Sequence, residues 1–137
     1  MNKLKVKIEQ NNRTSGQRDV AGLHPLVFNA IEDRMIGWIE KKLYLRAGVT
    51  IEKTARQIGT NRYYLSEYIN TTYSMIFRQW INHLRITEAQ SLLRQYPNMT
   101  VKDIALLSGF INNSHFGKIF LQITNYSPQK WRSLTPK

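Results

Sequence analysis

The sequence predicts an all-α protein: about seven helices in two helix-turn-helix subdomains joined by a long central helix. Three observations carry this. Apolar residues recur at spacings of three and four through residues 25–46 and 75–95, the period of a helix with one buried face. Pro25, Gly48 and Pro97 bound those runs, while Gly59 and Gly109 mark turns and Pro128 a further helix start. The chain also repeats itself: a shift of fifty places pairs Thr50 with Thr100, Ala55 with Ala105 and Gly59 with Gly109. With one extra residue in the second turn, Leu65 then pairs with Phe116, Ile69 with Phe120 and Trp80 with Trp131. A degenerate duplication of this kind marks one supersecondary unit used twice.

In chain order, residues 1–23 begin with Lys3, Lys5 and Lys7 alternating with Leu4, Val6 and Ile8, then turn polar. This reads as a flexible basic arm or linker ahead of a folded domain over 24–137. Pro25 to about Arg46 is the first helix, with Val27, Ile31, Met35, Trp38, Ile39 and Leu43 on its apolar stripe and Gly48 as its stop. The first helix-turn-helix follows at about 49–72. It has a short helix over 51–58, Gly59 in the turn, and a second helix over 61–70 capped by Thr60 or Asn61. Leu65 and Ile69 point inward, which leaves Arg62, Tyr63, Ser66 and Glu67 on the other faces. Of the adjacent Tyr63 and Tyr64, one is expected to pack inward.

The linker helix, about 74–95, buries Phe77, Trp80, Ile81, Leu84, Ala89, Leu92 and Leu93, and Pro97 closes it. Some twenty residues make a rod of roughly 30 Å. The second helix-turn-helix, about 100–124, opens on Thr100 as cap, with Asp103 favouring the positive helix start. Ile104, Ala105 and Leu107 supply its apolar face and Gly109 its turn. Asn112, Asn113 and Ser114 offer caps for a helix carrying Phe116, Ile119, Phe120 and Ile123 at core spacing. Of Asn112 and Asn113, one is expected to cap and the other to remain for recognition. Ser127-Pro128 starts the last helix, which carries Trp131.

Composition narrows the function. Twenty Lys and Arg against nine Asp and Glu give +11, and no acidic residue follows Asp103. Such a balance points to a polyanionic partner, a nucleic acid or an anionic surface. There is no cysteine, hence no disulfide and no thiolate metal site. No apolar run reaches membrane-spanning length, so no membrane contact by this segment and a cytoplasmic location are expected. His24, His83 and His115 are isolated, and neither a Gly-rich dinucleotide fingerprint nor a phosphate-binding loop is present. Ser127 to Lys130 matches S-x-x-K only formally, because its companion motifs are absent. An enzyme is therefore not expected, nor a cofactor or metal.

The run Ile104-Ala105, Gly109-Phe110, Ser114-His115-Phe116, Phe120, Ser127-Pro128 and Trp131-Arg132 resembles the second helix-turn-helix of the AraC/XylS family of bacterial transcription regulators. With the first copy included, the resemblance covers roughly residues 25–134. It implies sequence-specific binding of double-stranded DNA, with recognition helices near 61–70 and 112–124 in adjacent major grooves. Aligned residue by residue with the family pattern, Tyr63, Ser66 and Glu67 of the first unit are base-facing, as are Asn113, Ser114, His115 and Lys118 of the second. Arg62 and Lys118, on exposed faces of the two helices, are expected to touch a base edge or phosphate. Glu67 departs from the basic or polar residue usual there; it can accept from cytosine N4 but repels phosphate. Arg85 occupies a place the family fills with arginine, where a structural bond is expected. Ser74 and Asn125 stand where the family usually has glycine. The resemblance further implies an N-terminal sensor or dimerisation domain in a longer chain, and RNA polymerase as a possible partner. The rivals are a non-specific polyanion binder and a helical protein-interaction module.

Overall fold

A computed structural model describes residues 23–134, which form seven α-helices and one 3-10 turn. The helices are α1 (Pro25–Glu40), α2 (Ile51–Gln57), α3 (Arg62–Tyr73), α4 (Phe77–Gln95), α5 (Val101–Leu107), α6 (Asn113–Thr124) and α7 (Pro128–Leu134), and the 3-10 turn is Leu43–Leu45. They group into two compact units. The first holds the described residues up to Leu43 together with Gly48–Trp80, and the second holds Tyr44–Ala47 and the chain from Ile81 onward. α4 gives its first turn to the first unit and the rest to the second. The basic arm expected over residues 1–23 lies, apart from Leu23, outside the described residues.

The helix starts are set by side chains the sequence repeats. Thr50 Oγ1 accepts from Lys53 N at 3.2 Å, and Thr100 Oγ1 accepts from Asp103 N at 3.1 Å. Asn61 Oδ1 accepts from Tyr64 N at 2.8 Å, and Asn112 Oδ1 from His115 N at 2.9 Å. Ser127 Oγ accepts from Lys130 N at 3.1 Å, with Pro128 in the first turn behind it. Each cap removes an orphan donor and is worth about 1 kcal/mol.

Several expectations need correction. α1 ends at Glu40 rather than near Arg46, because Lys42 takes a left-handed conformation (φ 55°) and breaks the ladder. Its buried stripe includes Phe28, while Val27 is only half-buried. α4 starts at Phe77 rather than Met75, with the Gln79 side chain accepting from Ile76 N at 3.1 Å. Leu107 is 52% exposed and Ser108 is wholly buried in its stead. Four residues after Ile104, Ser108 lies on the inward face, and its hydroxyl is satisfied by donating to Ile104 O at 2.7 Å.

The cores of the two units differ in chemistry. The second is aromatic and, apart from Ser108, apolar: Phe110, Phe116, Phe120 and Trp131 run ring to ring at 5.2, 5.6 and 6.0 Å, against Ile86, Ala89, Leu93, Ile104 and Ala105. Burying such side chains stabilises by about 1.5–3 kcal/mol each. The first packs Phe28 on Tyr68 at 5.1 Å and stacks Trp38 on Trp80 at 5.8 Å, but it also buries Glu32 and Thr72. Burial, reinforced by the charge of Asp33, pushes the Glu32 carboxyl up to about 7.

Candidate nucleic-acid interface

Just beyond its short helix each unit turns on a glycine in the left-handed conformation: Gly59 at φ 74° and Gly109 at φ 90°. A basic side chain closes over each turn. Arg34 of α1 donates through Nη1 to Ile58 O at 2.7 Å, and that atom lies 2.7 Å from where a Gly59 Cβ would be. Arg85 of α4 lies as close to Gly109 through Nε, and donates from Nε to Tyr44 O at 2.7 Å and from Nη2 to Arg46 O at 3.1 Å. Arg85 is thus structural, as expected. Arg34 was missed: the fifty-place repeat pairs it with Leu84 rather than Arg85, so its likeness to Arg85 shows only in the folded chain.

Beyond each turn a recognition-type helix begins on its asparagine cap. Of the two asparagines weighed for α6, Asn112 is the cap, and Asn113 is left as an exposed first helical residue. α3 exposes Arg62, Tyr63 and Ser66, and Glu67 is half-buried. Arg62 Nη1 pairs with Glu52 Oε2 at 3.2 Å across to α2, both side chains remaining largely in solvent. The expectation that Tyr63 or Tyr64 packs inward is overturned: they are 62% and 38% exposed, rings 5.8 Å apart. Leu65, Tyr68 and Ile69 already fill the inward positions of that helix.

α6 exposes Asn113, Ser114, His115 and Lys118. Helical spacing brings Asn113, Ser114 and Lys118 to one side, together with Gly117 and Leu121. His115 falls to the flank, its ring 6.0 Å from Phe110. The extra residue of the second turn is Ile111, 92% exposed. Ser74 and Asn125, at φ 56° and 69°, end α3 and α6 in the left-handed conformation for which glycine is usual. Among the described residues no group of three or more His, Asp or Glu could hold a metal ion, and no helix is long and apolar enough to cross a membrane.

Two asparagine-capped helices, each presented beyond a glycine turn and each backed by its own core, define a tandem helix-turn-helix protein. Comparison with known proteins agrees. The pattern of the helix-turn-helix domain family matches residues 54–133, more than half of the chain. The chain belongs to the AraC/XylS-type helix-turn-helix family of transcription regulators. It is 28% identical over 116 residues to the uncharacterized HTH-type transcriptional regulator YijO of Escherichia coli K12, covering 85% of this chain and 38% of that protein. It is 27% identical over 104 residues to the probable transcription factor PqrA of Proteus vulgaris, covering 76% of this chain and 84% of that protein. In three dimensions it is similar to the DNA-binding domain of AdpA, a global transcriptional factor solved in complex with a target DNA. The TM-score is 0.65 at 19% identity, over 76% of this chain and 90% of that one. A transcriptional regulator of Chromobacterium violaceum described as containing an AraC-type DNA-binding domain shares the fold, with a TM-score of 0.68 at 19% identity, over 80% of this chain and 96% of that one.

Proposed function

We propose that the chain is a sequence-specific reader of double-stranded DNA that regulates transcription by inserting α3 and α6 into adjacent major grooves. The observation that carries this is the paired presentation of two exposed helix starts, each held by an asparagine cap and a glycine turn. In this reading Tyr63, Ser66 and Glu67 of α3 and Asn113, Ser114, His115 and Lys118 of α6 meet base edges. Arg62, Lys118 and the backbone N–H groups at the helix starts position phosphates. The excess of twenty cations over nine anions supplies the sequence-independent attraction that any DNA reader needs. The fold shared with a domain solved on its target DNA supports the same reading.

The chain spans 38% of the length of YijO, which supports placing this domain behind a sensor or dimerisation domain in a longer cytoplasmic regulator. RNA polymerase is then the natural second partner. The test is selection from a random duplex library at physiological salt, repeated with His115→Ala plus Lys118→Ala. The expected result is a bipartite motif with halves about one helical turn apart, blurred in one half by the double variant. Binding that favours no sequence and vanishes as salt rises would reduce the protein to a basic polyanion binder.

A further inference from the structure

Gly117 lies in the interior of α6, where glycine is the least favourable residue short of proline. Its backbone is ordinary right-handed helix, so no special conformation calls for it. Packing does not call for it either, because a Cβ built there meets no atom within 4 Å. Neither backbone nor packing within the free molecule accounts for the missing side chain. Gly117 follows Asn113 by four residues and Ser114 by three, so its gap opens on the side of α6 that carries both.

The duplication supplies the contrast. Fifty-one places earlier the equivalent residue of α3 is Ser66, while Tyr63 stands where α6 has Ser114. The exposed side of α3 is thus a ridge built on a tyrosine, and that of α6 is a depression floored by bare backbone. A helix about 10–12 Å across fits a major groove of about 12 Å with little clearance. The bulk on its leading side then decides how deeply it seats.

We propose that Gly117 is a seating residue, whose absent side chain lets α6 approach base edges more closely than α3 does, so that the second unit supplies most of the sequence discrimination. The inference rests on the DNA-binding reading above and adds to it an unequal division of labour. Its experiment starts from the duplex selected by the wild-type chain. Affinity for that duplex and for a scrambled one of equal length is measured alongside the thermal midpoint.

Gly117→Ala should melt a few degrees higher, since alanine removes the helix penalty and has room. It should bind the selected duplex roughly 10- to 100-fold more weakly, the scale of one lost base contact, with the scrambled duplex little changed. Gly117→Ser, which copies Ser66, should lose at least as much affinity, since serine adds a hydroxyl to the same Cβ. Gly37→Ala in α1, whose Cβ also meets nothing within 4 Å, should gain stability with affinity intact. Unchanged affinity in Gly117→Ala overturns the inference while leaving the DNA reading in place. So does an equal loss on both duplexes, or an equal loss in Gly37→Ala. A wild-type chain that selects no sequence overturns the reading and the inference together.

Discussion

The two helix-turn-helix units share a skeleton and little else. At matched places both have a threonine cap, a buried alanine, a left-handed glycine under an arginine, an asparagine cap and a buried tryptophan. Around that skeleton the chemistry diverges. The first unit buries a carboxyl, and its Arg62 is tied to Glu52. The second has an aromatic core that buries no charged side chain, and its Lys118 stands where the first unit has Glu67. The difference teaches which positions the motif requires. Caps and turn conformations are set by backbone donors and φ angles, which admit few residue types. Core and recognition faces need only suitable volume and polarity, so they were free to specialise.

Alanine at the two turn glycines should separate the units most. Gly109→Ala must adopt a left-handed backbone and also meets the middle of the Arg85 side chain, Nε at 2.7 Å and Cδ at 3.1 Å. Displacing Arg85 breaks its bonds to Tyr44 and Arg46, for a loss of about 2–4 kcal/mol in denaturant unfolding. Gly59→Ala meets only the tip of Arg34, which can swing aside, so its loss should be about 1–2 kcal/mol. Equal losses would show that the arginines do not differ in how firmly they are held.

Glu32 gives the next contrast, because the second unit has no counterpart to it. A carboxyl raised from 4.5 to about 7 holds its proton more tightly when folded. Its stability contribution is therefore fully present below pH 4.5 and is lost as pH climbs to about 7. Glu32→Gln should remove this slope and stabilise the first unit by roughly 1–3 kcal/mol at pH 8. Parallel melts of both proteins from pH 4 to 8 read this directly; parallel curves would show that the carboxyl finds a compensating partner.

Smaller effects are expected on the exposed faces of α3 and α6. Lys118→Ala should lower the salt slope of DNA binding by about one and weaken binding about tenfold at low salt. Arg62→Ala should do less, because its charge is already shared with Glu52 at 3.2 Å. A larger effect from Arg62 would place the first unit nearer the phosphates. Smallest of all, Ser74→Gly should stabilise by about 0.5–1 kcal/mol and Asn125→Gly by a few tenths, since asparagine tolerates the left-handed cap better than serine. Thermal midpoints of the two variants check the order.

Much of this was legible in the residues. The caps Thr100 and Ser127 were read outright, and Asn61 and Asn112 stood among two or three neighbouring candidates, because capping bonds are local. The turn glycines and the buried Leu65, Phe116 and tryptophans followed from the repeat. Less legible were features set by partners far away in sequence. Arg34 and Arg85 find carbonyls 24 and 41 residues off. Tyr63 and Tyr64 both remain outside because their helix has already filled its inward positions. Whether Leu107 or Ser108 faces the core depends on which side of α5 meets α6.

By itself, then, the sequence determined the all-α class, the duplicated helix-turn-helix and the helix starts, because caps, glycine turns and the 3.6-residue period act within one or two turns of chain. Tertiary structure alone decided the end of α1 at Glu40, the burial of Glu32 and the empty space beside Gly117. Those depend on which surfaces are already occupied, and that is fixed only when the helices pack.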